Sequence, residues 1–146
     1  MAQEIAPTVK SPRVYTNIHV SQIVRYRMPM AAIVSILHRI SGALLFLLLP
    51  LAIWLFDTSV TSEITFDRFR SVFAGGVGFL PGWFLKLVVL AMIWGYLVHF
   101  IAGLRHLWMD VTHSVSMQQG RVSANVTLVL STLLTLFFAA RLFGLY

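Results

Sequence analysis

Residues 83–109 read WFLKLVVLAMIWGYLVHFIAGLRHLWM, and their reading decides the fold. Between Lys86 and Arg105 the ionisable side chains are Tyr96 and His99 alone. A helix rises about 1.5 Å per residue, so about 20 mainly apolar residues cross the hydrocarbon layer of a bilayer. Lipid offers no partner for backbone N–H and C=O groups, so such a stretch must be helical. Working outward, two further stretches meet the same test, at about 30–56 and about 122–143. The expected fold class is an all-α membrane protein with three transmembrane helices.

The composition agrees with lipid as the main solvent. The 146 residues are 58% hydrophobic and only 11% charged, with a mean hydropathy of +0.83. A water-soluble domain carries roughly 25% charged residues. The chain has no cysteine, which excludes thiolate metal sites, disulfides and Cys nucleophiles. Its formal charge is +6, but the basic residues stand at the ends of apolar runs instead of forming a stripe. That is the pattern of membrane orientation, and no nucleic-acid partner is expected.

Residues 1–28 form a polar segment without the apolar core of a signal peptide, and residues 29–146 form the transmembrane domain. The first connection, 57–82, mixes turn formers with acids and two arginines and ends in a Gly/Pro-rich stretch. The second, 110–121, is a short polar link. Lys10, Arg13, Arg25 and Arg27 precede the first span, whereas the first connection holds Arg68 and Arg70. The positive-inside rule therefore places the N-terminus and the second link in the cytoplasm and the C-terminus outside.

This direction brings His38 and Arg39, at the start of the first span, to the same membrane face as Arg105, His106 and Asp110 at the end of the second. Ser35, Arg39 and Gly42 share one helical stripe at i, i+4, i+7, and His38 borders it. His99, Gly103 and His106 repeat the spacing on the second span. Ionisable groups in a span face protein or a cavity, not lipid. A transporter would carry such groups through to both faces, whereas these stop halfway.

His99 admits two readings. A neutral imidazole can hydrogen-bond across a helix interface, and an imidazole in an apolar site also suits an axial position on a haem iron. Gly103, one turn on, would serve either helix packing or a macrocycle's approach. His106 lies about 10 Å from His99 along the same helix face, so the two cannot bind one iron. His38 or another polypeptide could supply the opposite ligand. Arg39, His38, Arg105 and His106 can pair with anions at the inner face, where Arg offers a bidentate fork to carboxylates. Ser35 and Arg39 together offer two donors to an acceptor oxygen such as a quinone carbonyl. Asp110 reads as a charge partner for Arg105, with a proton-relay role as the alternative.

SILHRISG (35–42) and HFIAGLRHLWMD (99–110), in this order on the first two spans, closely resemble the cytochrome b membrane-anchor subunits of succinate dehydrogenase. The resemblance covers roughly residues 20–146. It implies that the three helices form half of a haem-binding bundle completed by a second anchor subunit. His99 then matches the haem b axial ligand, with the other ligand from that partner. His38, Arg39 and His106 match positions near the propionates. Ser35 and Arg39 match the ubiquinone site, and Asp110 its edge. Further partners implied are an iron–sulfur subunit and a flavoprotein, in a bacterial inner membrane with a periplasmic C-terminus. The chain would contribute to succinate:ubiquinone oxidoreduction without catalysing anything alone. A fumarate reductase anchor and a structural anchor without haem are the alternatives. The lead-in SPRVYTNIHVSQIVRYRMP (11–29) departs from the Arg-Pro-x-Ser-Pro-His form common in the family, which bears on partner contacts there.

Overall fold

The structure, a computed structural model, describes residues 19–113 and 116–145. Lys10 and Arg13, like most of the polar segment 1–28, lie outside the described residues. Among those residues the elements are α1 (Val20–Arg25), α2 (Met30–Val60), α3 (Glu63–Gly75), α4 (Gly82–Thr112) and α5 (Met117–Leu142). Three of them, α2, α4 and α5, are long and apolar enough to cross a membrane. The chain is thus an all-α, multi-pass membrane protein.

The spans are longer than the expected 30–56, 83–109 and 122–143, and the reason is local chemistry at their ends. Helix α2 starts at a proline N-cap, Pro29, whose missing N–H is one that a helix start leaves unused. It then runs past Phe56, and there Thr58, Ser59 and Thr61 turn their hydroxyls back onto carbonyls of the preceding turn. Helix α5 begins five residues early, where Ser116 and Gln119 form a reciprocal capping box. Between α4 and α5, His113 ends α4 in the left-handed conformation, φ 53°.

Part of the first connection, read from its turn formers and charges as a link between spans, is the helix α3. Ser62 and Thr65 cap its start reciprocally, and Phe66, Phe69 and Phe73 line one side, ring against ring. The helix packs on both α2 and α4. A tight turn follows, closed by Val77 N–H to Leu80 O and Leu80 N–H to Val77 O, each 2.9 Å. Gly76 opens it at φ +90°, where a Cβ would overlap the Leu80 carbonyl, so only glycine fits.

Helix α4 is central and packs against both α2 and α5. The buried core is small and made of small side chains: Val34, Ala102 and Ala124, with Ala31 and Leu128 against it. Small residues let helices approach closely where hydrophobicity cannot drive them together, because lipid is equally apolar. Outward, large apolar groups such as Phe46 (76% exposed) and Leu47 (74%) are uncovered, as a lipid or partner-facing exterior requires. At the other end Lys86 sits over the Phe143 ring, 5.6 Å from its centroid, joining the start of α4 to the end of α5.

Candidate functional site at the α2–α4 interface

The core positions the polar cluster. Val34 on α2 and Ala102 on α4 are fully buried; His38 lies one turn beyond Val34, and His99 and His106 lie one turn to either side of Ala102. The His38 ring stacks on the His99 ring with centroids 4.2 Å apart and planes 16° from parallel. It also meets His106, tilted, at 5.3 Å. Three histidines from two spans therefore form one row. Among the described residues no group of three side chains converges as it would around a bare metal ion.

The decisive contact is made by the backbone. His99 Nδ1 lies 3.0 Å from the carbonyl oxygen of His38. A carbonyl can only accept, so Nδ1 carries the proton and donates, and in the neutral ring Nε2 then keeps its lone pair. Nε2 makes no hydrogen bond among the described residues. The carbonyl also accepts from the Ser41 hydroxyl at 2.9 Å. Ser41 is fully buried.

Gly42 makes this approach possible. A Cβ there would stand 2.8 Å from His99 Cε1 and 3.1 Å from Nδ1. Any larger residue would push the ring off the carbonyl. At Gly103 a Cβ would meet His38 Nε2 at 3.8 Å, ordinary contact. The α2–α4 packing therefore needs glycine at 42 but not at 103.

The stacking also limits His38. Ligands on opposite sides of one iron have the macrocycle between them, and two parallel rings at 4.2 Å leave no room for it. His38 is thus excluded as the ligand opposite His99.

Arg39 is exposed, and Ser35 is half-buried one turn before it on α2. Neither side chain makes a hydrogen bond within the described residues, so the donors of both are available at the surface of this chain. Arg105 differs from its expected role at an anion. It is buried, and its Nε donates to Ser123 Oγ at 2.9 Å while one terminal nitrogen donates to the Gly120 carbonyl at 3.3 Å. Asp110 is exposed and is not its partner. The guanidinium clamps α4 to the first turns of α5. Ser123 and Gly120 carried no sequence signal beyond their helical spacing, and Ser41 was legible only as a small residue beside the stripe.

These features define a class: a three-span membrane anchor with a buried histidine row at the interface of its first two spans. The chain belongs to the succinate dehydrogenase/fumarate reductase transmembrane subunit family, whose pattern matches residues 16–138. It is similar to the succinate dehydrogenase cytochrome b556 subunit of Coxiella burnetii, with 37% identity over 109 residues, covering 75% of this chain and 82% of that one. It is also similar to the subunit of the same name in Paracoccus denitrificans, with 30% identity over 118 residues, 77% of this chain and 85% of that one.

Proposed function

We propose that this chain is the membrane anchor of a succinate:ubiquinone oxidoreductase, holding haem b through His99 and forming part of the ubiquinone-reduction site. The observation that carries the reading is the His99 Nδ1–H bond to the His38 carbonyl, 3.0 Å. Histidines that ligate metals donate their other ring N–H to a carbonyl or carboxylate, which fixes the tautomer and the ring's orientation. A haem supplies a one-electron redox centre near the quinone when bound. His99 would hold it by Nε2, and a second anchor subunit would supply the ligand on the opposite side, completing the helix bundle of which this chain is half.

The remaining residues act on anions and on the substrate. His38 stacks on His99 and meets His106, Arg39 follows His38 on α2, and the side chains of His38, Arg39 and His106 would pair with the two propionates. Ser35 and Arg39 would donate to a ubiquinone carbonyl and hold it at the face where an iron–sulfur subunit docks. That subunit receives electrons from a flavoprotein that oxidises succinate. These 146 residues include no cysteine to hold clusters. With residues 1–28 cytoplasmic and the C-terminus periplasmic in a bacterial inner membrane, the histidine row lies toward the cytoplasmic leaflet. The names of the relatives favour succinate oxidation over a fumarate reductase anchor.

The test is isolation of the intact assembly in mild detergent. Copurification of a flavoprotein, an iron–sulfur protein and a second anchor, with succinate-driven ubiquinone reduction, is expected. An assembly that reduces a soluble dye but never ubiquinone would contradict the reading.

A further inference from the structure

The His38 carbonyl oxygen is shared by more donors than it has lone pairs. It accepts from the Ser41 hydroxyl at 2.9 Å and from His99 Nδ1 at 3.0 Å. It is also the acceptor that the α2 ladder offers to the Gly42 N–H, four residues on. A carbonyl oxygen has two lone pairs, so three donors divide its electron density. Ser41 is fully buried and fixed in the wall of the site.

We infer that Ser41 is a positioning residue that sets the reduction potential of the group bound at His99, by weakening the hydrogen bond that His99 donates to the His38 carbonyl. The inference rests on the reading of His99 as a haem ligand and concerns how that ligand is tuned. The electron-donating power of a ligating imidazole rises with the strength of the bond made by its other N–H. A stronger bond makes Nε2 richer in electrons and favours the oxidised metal, which carries the higher charge. A weaker bond favours the reduced metal. The Ser41 hydroxyl, by occupying part of the acceptor, holds the potential up.

The experiment uses the whole complex purified with Ser41→Ala, Ser41→Thr or no substitution. Haem content is measured against flavin, and the midpoint potential by redox titration of the absorption spectrum. Ser41→Ala is expected to keep its haem and shift to a lower potential, because the carbonyl is released to His99. Ser41→Thr, which retains the hydroxyl, is expected to titrate with the unsubstituted complex. A potential in Ser41→Ala that is unchanged or raised overturns the inference. So does an equal fall in Ser41→Thr, which would trace the effect to packing alone. If Ser41→Ala does not assemble, Ser41→Cys, whose thiol is a weaker donor, is expected to shift the same way by less. A Cys variant at or above the unsubstituted potential is then the contrary result. An unsubstituted complex without haem overturns the ligand assignment itself, an outcome separate from a haem-bearing complex whose potential ignores Ser41.

Discussion

Gly42→Ala adds one methyl group at the closest approach of α2 to the histidine row. Its Cβ would stand 2.8 Å from His99 Cε1, against the 3.4 Å at which ordinary contact begins. Ring and helix must part by about 0.6 Å, since carbon atoms repel steeply below their optimal separation. The ring cannot swing freely, because the stacked His38 ring blocks one face at 4.2 Å. The movement is therefore away from the His38 carbonyl, and it lengthens a 3.0 Å hydrogen bond toward the limit of a useful one. Losing the partner that orients a metal ligand costs about 10–100-fold in metal affinity. The complex carrying Gly42→Ala should reach the membrane and assemble, yet retain haem only when haem is supplied in excess. The assay is the haem-to-flavin ratio of the purified complex, followed during dilution or competition with a haem scavenger. Retention as tight as that of the unsubstituted complex would refute the reasoning, for it would mean that His99 does not need the His38 carbonyl.

Three other perturbations probe separate parts of the account. Arg39→Leu should impair succinate-driven ubiquinone reduction at least tenfold while reduction of a soluble dye by the same preparation persists; equal loss of both, with normal assembly, would count against a quinone role. Ser123→Ala removes the acceptor of the buried Arg105 Nε and should lower unfolding stability in detergent by on the order of 1 kcal/mol, as for hydrogen bonds between membrane helices. Identical denaturation curves would show that the clamp is idle. Ser62→Ala abolishes one half of the capping box of α3 and should cost that helix about 1 kcal/mol. Hydrogen exchange at the Thr65 and Phe66 amides reads this directly, and unchanged protection would be the contrary result.

The three spans were legible because a bilayer leaves few choices. A run such as 87–104, with His99 as its only strongly polar member, has no alternative to a helix. Their ends were less legible, since the Ser116–Gln119 capping box starts α5, and the hydroxyls of Thr58 and Thr61 bond to the Trp54 and Asp57 carbonyls at the end of α2, among residues that composition assigns to links. Helix α3 was missed for a related reason. Its Phe66, Phe69 and Phe73 stripe lies among acids and turn formers, and packing on α2 and α4 is what stabilises it. Spacing and direction on two helices brought His38 and His106 to one membrane face, but the ring contacts of His38 with His99 and His106 come from the structure alone. The contact that orients His99 did not follow, because its acceptor is a backbone oxygen, which every residue has and no sequence pattern marks. At Arg105 the charge suggested an anion partner, and the structure shows that two of its N–H donors are taken by Ser123 and Gly120 on the third span.

The central claim is that Nε2 of His99, freed by the proton fixed on Nδ1, ligates a haem. It is tested most directly by reduced-minus-oxidised absorption spectra of the assembled complex with His99 intact and with His99→Ala. The account predicts a b-type spectrum in the first, and its loss or conversion to a weakly held, high-spin form in the second, with the flavoprotein still attached and oxidising succinate. An identical low-spin spectrum from both preparations would contradict it.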